Sequence, residues 1–402
     1  EPSTALDVTV QKSILELLLE LRDREGLSML FISHDLGVIA EVADRIAVMS
    51  NGELVETGPV EQVLNNPQQP YTKGLLACRP SLHKKVHRLP TVEDFLNNSA
   101  FEAKVVTAKT LEKQRADLYA ASPLLEIKNL RVRYPLKTNF WNFSRRWLEA
   151  VQDVSFDVYP GEIFGLAGES GCGKTSLGRV ISRLLPASEG GVWFRQLNLE
   201  ELPPAEFHFV RREIQMVFQD PYASLNPRMP IGEAILEPMK AYALYASDRQ
   251  RQEKMLELLG RVGLDASHAH RFPREFSGGQ RQRICLARAL ALQPKLLVCD
   301  EIVSALDVSV QATILNLLLD LKEEFGLSYV FISHDLSVIK QMCDRVLVMN
   351  QGKIEVIGPP EQLLDKPENP YVRALVESVP RYSDGLTLSE AVTITQPLKV
   401  EI

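Results

Sequence analysis

Residues 1–80 align without a gap to residues 301–380, and about half of the aligned positions are identical. The matches come in blocks. Ala5-Leu6-Asp7 meets Ala305-Leu306-Asp307, and Phe31-Ile32-Ser33-His34-Asp35-Leu36 meets Phe331-Ile332-Ser333-His334-Asp335-Leu336. Pro70-Tyr71 meets Pro370-Tyr371. An offset of 300 is far too long for a solenoid, whose units recur every ~20–50 residues. The chain therefore holds two copies of one domain. The second copy has a long lead-in, from about Leu124, and the first has none within the 402 residues. This predicts a longer protein, of roughly 600 residues if the two lead-ins match in size. The expected organisation is a C-terminal remnant of a first domain at 1–80, a linker at 81–123, a complete second domain at 124–380 and a C-terminal tail at 381–402.

Hydrophobic periodicity gives the class of fold. Residues 13–24 carry Leu and Ile at helical spacing, and 27–32 is a short apolar run that reads as a buried strand. Residues 46–49 and 54–56 flank Asn51-Gly52, a hairpin turn signal. In the linker, 107–121 has helical character. Strands are predicted at 125–127 and 131–134. Residues 149–167 alternate and then become wholly apolar (Ile163-Phe164-Gly165-Leu166-Ala167), as a central parallel strand does. Residues 203–285 are helical in pattern, and strands return at 296–299 and 329–332. Strands alternating with helices predict an α/β fold with a largely parallel sheet.

Composition excludes several functions. Net charge is -7 and the pI is about 5.7, so no overall basic field draws the chain to nucleic acid or anionic lipid. No apolar run approaches the ~18 residues of a membrane span, so a membrane link would run through a partner. The start, Glu1-Pro2-Ser3, has neither the basic region nor the apolar core of a signal peptide. The five Cys are scattered, with no C-x-x-C pair, which predicts a reducing compartment and buried or inert thiols.

Gly168-Glu169-Ser170-Gly171-Cys172-Gly173-Lys174-Thr175 fits G-x-x-x-x-G-K-[ST] and stands between a buried strand and a helical stretch at 176–185, the context this motif needs. Its glycines let backbone N–H groups curl around phosphates. The helix start adds partial positive charge, Lys174 reaches β- and γ-phosphates, and the Thr175 hydroxyl suits Mg²⁺. Leu296-Leu297-Val298-Cys299-Asp300-Glu301 is an apolar strand ending in two acids: Asp300 for Mg²⁺ and its water, Glu301 to orient or deprotonate an attacking water. Ser277-Gly278-Gly279-Gln280 combines a helix cap with close backbone approach, which makes an anion-binding terminus. Gln219 and His334 each follow an apolar strand and so reach the same sheet edge.

In this order, with Ser304-Ala305-Leu306-Asp307 added, the motifs resemble the nucleotide-binding domains of ATP-binding cassette (ABC) transporters. The resemblance spans 124–380 fully and 1–80 in part. It implies a P-loop NTPase fold of ABC type, with a parallel-sheet core, an antiparallel β subdomain and a helical subdomain. It implies ATP and Mg²⁺ as ligands. Walker A falls at 168–175, with Gly168, Ser170, Gly171, Cys172, Gly173, Lys174, Thr175 and Ser176 on the nucleotide and Thr175, Gln219 and Asp300 on the metal. Gln219 becomes the Q-loop, Ser277–Gln280 the signature that meets ATP across a dimer, Asp307 the D-loop acid and His334 the switch histidine. Glu301, His334, Gln219 and Lys174 form the catalytic set. Tyr134 is the candidate to stack on adenine; it reads equally as a core strand residue. The segment 219–227 and the motif Asn369-Pro370-Tyr371, echoed at Pro70-Tyr71, are similar to oligopeptide and dipeptide importer ATPases.

That resemblance implies transmembrane permease partners, a solute-binding protein behind them, a second nucleotide-binding domain, and a peripheral place on the cytoplasmic face of the inner membrane. No nucleic-acid partner is expected. The alternative is a soluble cassette protein acting on ribosomes or nucleic acid, against which the acidic charge weighs. Ile302 stands where the family usually has Pro, as Pro2 does in the first copy, and this predicts an altered local turn with the chemistry unchanged. No Cys-rich iron–sulfur segment follows the tail motif.

Overall fold

A computed structural model describes residues 8–97, 103–135 and 147–379. Glu1, Asp7, residues 136–146 and the tail at 381–402 lie outside the described residues. Among the described residues the strands fall into three sheets. In chain order they are β1 Arg45–Ser50, β2 Glu53–Pro59, β3 Leu125–Pro135, β4 Trp147–Val158, β5 Ile163–Ala167, β6 Glu189–Phe194, β7 Leu197–Asn198, β8 Ile214–Val217, β9 Leu296–Asp300, β10 Ser328–Ile332, β11 Arg345–Asn350 and β12 Lys353–Gly358.

The central sheet has the order β12-β11-β5-β10-β9-β8. All its strands are parallel except β12, which closes one edge as a hairpin with β11. β5, β9 and β10 are buried at every position, which is why they read as unbroken apolar runs. Beside this sheet lies an antiparallel one, β4-β3-β6-β7. The two strands expected at 125–127 and 131–134 are one strand, β3, with a register break near Asn129, whose φ of 48° bends it. A run of helices from Pro204–Glu213 through Gly278–Leu290 separates β8 from its neighbours in sequence, and both of these helices meet β8. The expected α/β class, with its antiparallel and helical subdomains, is thus present in 124–379.

The first copy repeats the second where both exist. β1 and β2 carry the same irregularity between Val48 and Met49 that β11 and β12 carry between Val348 and Met349. One expectation fails here. Residues 27–32 form no strand and are largely exposed, with Leu30 at 93% and Ile32 at 64%. Their counterpart β10 sits between β5 and β9, and these 402 residues contain no first-copy equivalent of those two strands. An edge without partners gains neither ladder hydrogen bonds nor the ~1.5–3 kcal/mol that burial gives each large apolar side chain.

The segment between the copies packs closely on the second. Val86, Leu89, Val92 and Leu111 are buried. Its helix Ala108–Tyr119, capped by Thr107, answers to the helical pattern at 107–121. The copies also touch reciprocally. Helix Val8–Glu25 meets Pro370–Ser378, while its second-copy counterpart Val308–Phe325 meets Pro70–Ala77, the counterpart of Pro370–Ser378. This is the self-complementary contact of a two-fold pair, here within one chain.

Candidate functional site

The loop after β5 turns around its own glycines. Gly168 and Gly173 have φ of 141° and 110°, and a Cβ on either would collide with backbone oxygen, that of Met349 or Ala150. Only glycine fits there, so the loop closes into a cradle of N–H groups ahead of helix Lys174–Ile181. Lys174 is buried and curls back, its Nζ donating to Gly168 O and Glu169 O, both at 2.8 Å. Cys172 fills the underside of the loop, with burial pushing its thiol pKa up.

Three separate strands deliver the remaining groups. β9 ends at Asp300, whose Oδ1 accepts from Thr175 Oγ1 at 3.1 Å. Burial raises the Asp300 carboxyl above the usual range, against the hydrogen bond from Thr175. Glu301 follows in the left-handed region at φ 48°, which costs a non-glycine residue about 1–3 kcal/mol, and its N–H donates to Ile332 O at 3.0 Å. This twist aims its carboxylate at two groups from other strand ends. Gln219 Nε2, beyond β8, donates to Glu301 Oε2 at 2.9 Å, and His334 Nδ1, beyond β10, lies 3.3 Å from the same oxygen. Burial works to raise Glu301, and the hydrogen bond and charge of His334 outweigh it, so the carboxyl lies below its ordinary range. The bond to Glu301 raises His334 in turn, against burial. Ile302 puts its side chain in the core, and the turn after it closes through Ser304 N–H and Oγ onto Glu301 O.

Gly168, Cys172, Lys174, Thr175, Gln219, Asp300, Glu301 and His334 therefore meet at one edge of the sheet. Tyr134 stands nearby, its hydroxyl 3.1 Å from Ser176 Oγ and its ring packed partly on the β core. Ser170 and Gly171 occupy the outer turn of the loop, Ser170 with its side chain exposed. Ser277, Gly278, Gly279 and Gln280 take partners of their own. Gln280 N–H donates to Ser277 Oγ at 3.3 Å, and Ser277 N–H to Gln280 Oε1 at 3.0 Å, a reciprocal cap on helix Gly278–Leu290. That helix start lies beside Leu306 and Val310, and Asp307 caps the next helix through Val310 N–H at 3.0 Å.

Two contacts escaped sequence reasoning. Tyr371 Oη accepts from Glu169 N–H at 3.4 Å, so the tail motif touches the loop; burial pushes this phenol up to about 12. Arg288 donates to Ser224 O at 2.6 Å and Arg281 lies 4.4 Å over the Tyr222 ring, fastening the segment after Gln219 to the signature helix. The repeat of Pro-Tyr in both copies marked Tyr371 but not its partner. Nothing in the spacing signalled the second contact.

Among the described residues no cluster of three or more His, Cys, Asp or Glu could cage a metal. Thr175 and Asp300 side by side instead suit Mg²⁺, which takes one or two protein oxygens and completes its shell from phosphate and water. A glycine-formed anion cradle, a buried lysine at its mouth and paired acids on the next parallel strand define a P-loop nucleotide-binding cassette.

Comparison with known proteins agrees. A family model described as ABC transporter matches residues 151–304, and one described as oligopeptide/dipeptide transporter, C-terminal region, matches 55–100 and again 355–401. The chain is 46% identical over 385 residues to the glutathione import ATP-binding protein GsiA of Escherichia coli and 45% identical over 384 residues to that of Pectobacterium atrosepticum. Each match covers 94% of this chain, which spans 60% of the length of these relatives. A solved dimeric ATP-binding cassette in a post-hydrolysis state, bound to ADP and Pi, is 29% identical with a TM-score of 0.53, covering 59% of this chain and 98% of that one. The chain therefore carries an ABC transporter domain at 151–304 and the oligopeptide/dipeptide transporter C-terminal region twice.

Proposed function

We propose that this chain is the ATP-hydrolysing part of an ABC importer that energises uptake of peptides or similar small solutes through partner permeases. The observation that carries the reading is the Glu301 carboxylate held between Gln219 and His334 beside Lys174, Thr175 and Asp300.

Lys174 exchanges Gly168 O and Glu169 O for phosphate oxygens, while the loop N–H groups and the helix start receive the rest of the phosphate chain. Thr175 and Asp300, with Gln219 at the edge, would hold Mg²⁺, which when bound would neutralise phosphate charge. Glu301, held between Gln219 and His334, accepts a hydrogen bond from the attacking water and orients or deprotonates it. Tyr134 offers its ring to adenine. Ser277–Gln280 point their helix start at the nucleotide of a second domain, and Asp307 lies at the same junction.

The reciprocal helix contacts favour pairing of the two copies with each other. No helix among the described residues is long and apolar enough to cross a membrane, so permeases, reached through the segment after Gln219, would tie the chain to the inner face of the membrane. The relatives named for glutathione import support a small peptide as cargo, and a solute-binding protein would deliver it. ATP turnover measured against protein concentration, with Glu301→Gln as control, tests the reading. Turnover that survives in the variant would remove Glu301 from its role.

A further inference from the structure

The segment that joins the copies does more than span a gap. Residues 82–89 cross the second copy, whose side chains hold the backbone of Leu82, Val86 and Leu89. Gln341 Oε1 accepts from Val86 N–H at 3.1 Å and its Nε2 donates to Val86 O at 2.7 Å. Asn316 Oδ1 accepts from Leu89 N–H at 2.9 Å and its Nδ2 donates to Leu89 O at 2.8 Å. Both amides are fully buried, at 1% and 2% exposure. Lys340 Nζ donates to Leu82 O, and Lys85 Nζ to Cys343 O at 2.9 Å. Buried amides that satisfy donor and acceptor of the same residue fix the strand tightly, because losing either bond strands a polar group in the core.

Lys340, Gln341 and Cys343 all lie at the end of one short helix, Leu336–Met342, and at its C-cap. The other end of that helix is Asp335, whose carboxylate caps it through Ser337 N–H at 2.8 Å, and the residue before is His334. The helix lies hard against β5: a Cβ on Gly165 would sit 2.8 Å from Cys343 Sγ and 3.3 Å from Ile339 Cδ1. Held by β5 on one side and by residues 82–89 on the other, a helix this short moves as one body. The first copy lacks the readers: Glu16, Ala40, Glu41 and Ala43 stand at the positions of Asn316, Lys340, Gln341 and Cys343.

We propose that residues 82–89 are a positioning strap that passes from the first copy to the second, is anchored by Asn316 of helix Val308–Phe325 and, through Lys340 and Gln341, sets the helix that presents His334 to Glu301. The control runs one way, since the first copy has no matching readers. This rests on the hydrolytic reading of the site.

The test uses the whole chain with Val86→Pro, which removes the N–H read by Gln341 while leaving the Lys85 and His87 backbone bonds to Val106 and Lys104 in place. Gln341→Met is the second variant should the first misfold. Hydrogen exchange is followed by mass spectrometry over 82–89 and 333–343. We expect exchange to quicken tenfold or more in both stretches, and ATP turnover to show kcat down fivefold or more with KM within twofold. In a His334→Ala background the strap variant should cause no further fall in kcat. Faster exchange confined to 82–89, with 333–343 and kcat unchanged, would reduce the strap to a tether and overturn the proposal. A wild-type chain that fails to turn over ATP would refute the hydrolytic reading instead, and the exchange at 333–343 would still decide the strap.

Discussion

Arg345→Met should be among the most damaging single changes outside the nucleotide site. Arg345 opens β11 and reaches Glu162, the residue before β5, whose side chain is wholly buried. The pair is bidentate, Nε to Oε1 at 2.6 Å and Nη2 to Oε2 at 3.1 Å, and Glu162 Oε2 also accepts from Tyr159 N–H at 2.8 Å. The guanidinium donates to Asp157 O at 2.7 Å and lies 5.3 Å from the rings of Tyr119 and Tyr159 and 5.0 Å from Phe164. Met keeps the length and much of the ring contact but leaves a buried carboxylate without its counter-ion, a loss of about 3–5 kcal/mol. For a domain of this size each kcal/mol lowers Tm by about 2–4 °C, so the second copy should melt about 6–20 °C lower by calorimetry or circular dichroism. The pH dependence has a definite sign. Burial already raises the Glu162 carboxyl despite Arg345, and removing Arg345 raises it further. A carboxyl raised on folding contributes stability below its unfolded pKa and loses it as pH rises through the folded one. The deficit of the variant should therefore shrink on acidification towards the unfolded carboxyl value of about 4.3 and grow towards neutrality. Glu162→Leu combined with Arg345→Met should recover most of the loss. A single variant as stable as the parent at neutral pH would refute the argument.

Three further outcomes follow from the same geometry. Glu301→Gln should bind a fluorescent ATP analogue within severalfold of the parent and lose about 10²–10⁴ in turnover, the range for removing a positioned acid or base. Gly173→Ala should abolish nucleotide binding in the same assay, because its Cβ meets Ala150 O and its φ of 110° disfavours any side chain. All five cysteines are buried, and burial pushes the Cys285 thiol up to about 11 and that of Cys78 up to about 12. The folded chain should therefore resist a disulfide thiol reagent at pH 8 and release five equivalents only on denaturation.

Parts of this protein were legible in the linear order because they depend on neighbours in sequence. The loop at 168–175 is fixed by its own glycines, the hairpin at Asn51-Gly52 by its turn, and the buried strands by unbroken apolar runs. The repeat gave the relation between the copies. Residues 27–32 show the limit. Their apolar run reads as a strand, yet a strand exists only where partners supply a ladder, so the same pattern is β10 in one copy and an exposed span in the other. The joining segment shows it from the other side. Its mixed charge reads as a linker, while Asn316 and Gln341, more than 200 residues away, hold its backbone in place.

The sequence by itself determined the fold class, the repeat of 1–80 at 301–380 and the candidate residues for the nucleotide site, since each is written in local spacing. Only the tertiary structure decided that Gln219 and His334 share one oxygen of Glu301, that Tyr371 touches the loop, and that residues 82–89 bind the helix behind His334. Those are contacts between strand ends and surfaces far apart in the chain, and parallel crossovers and packing, which no local pattern encodes, bring them together.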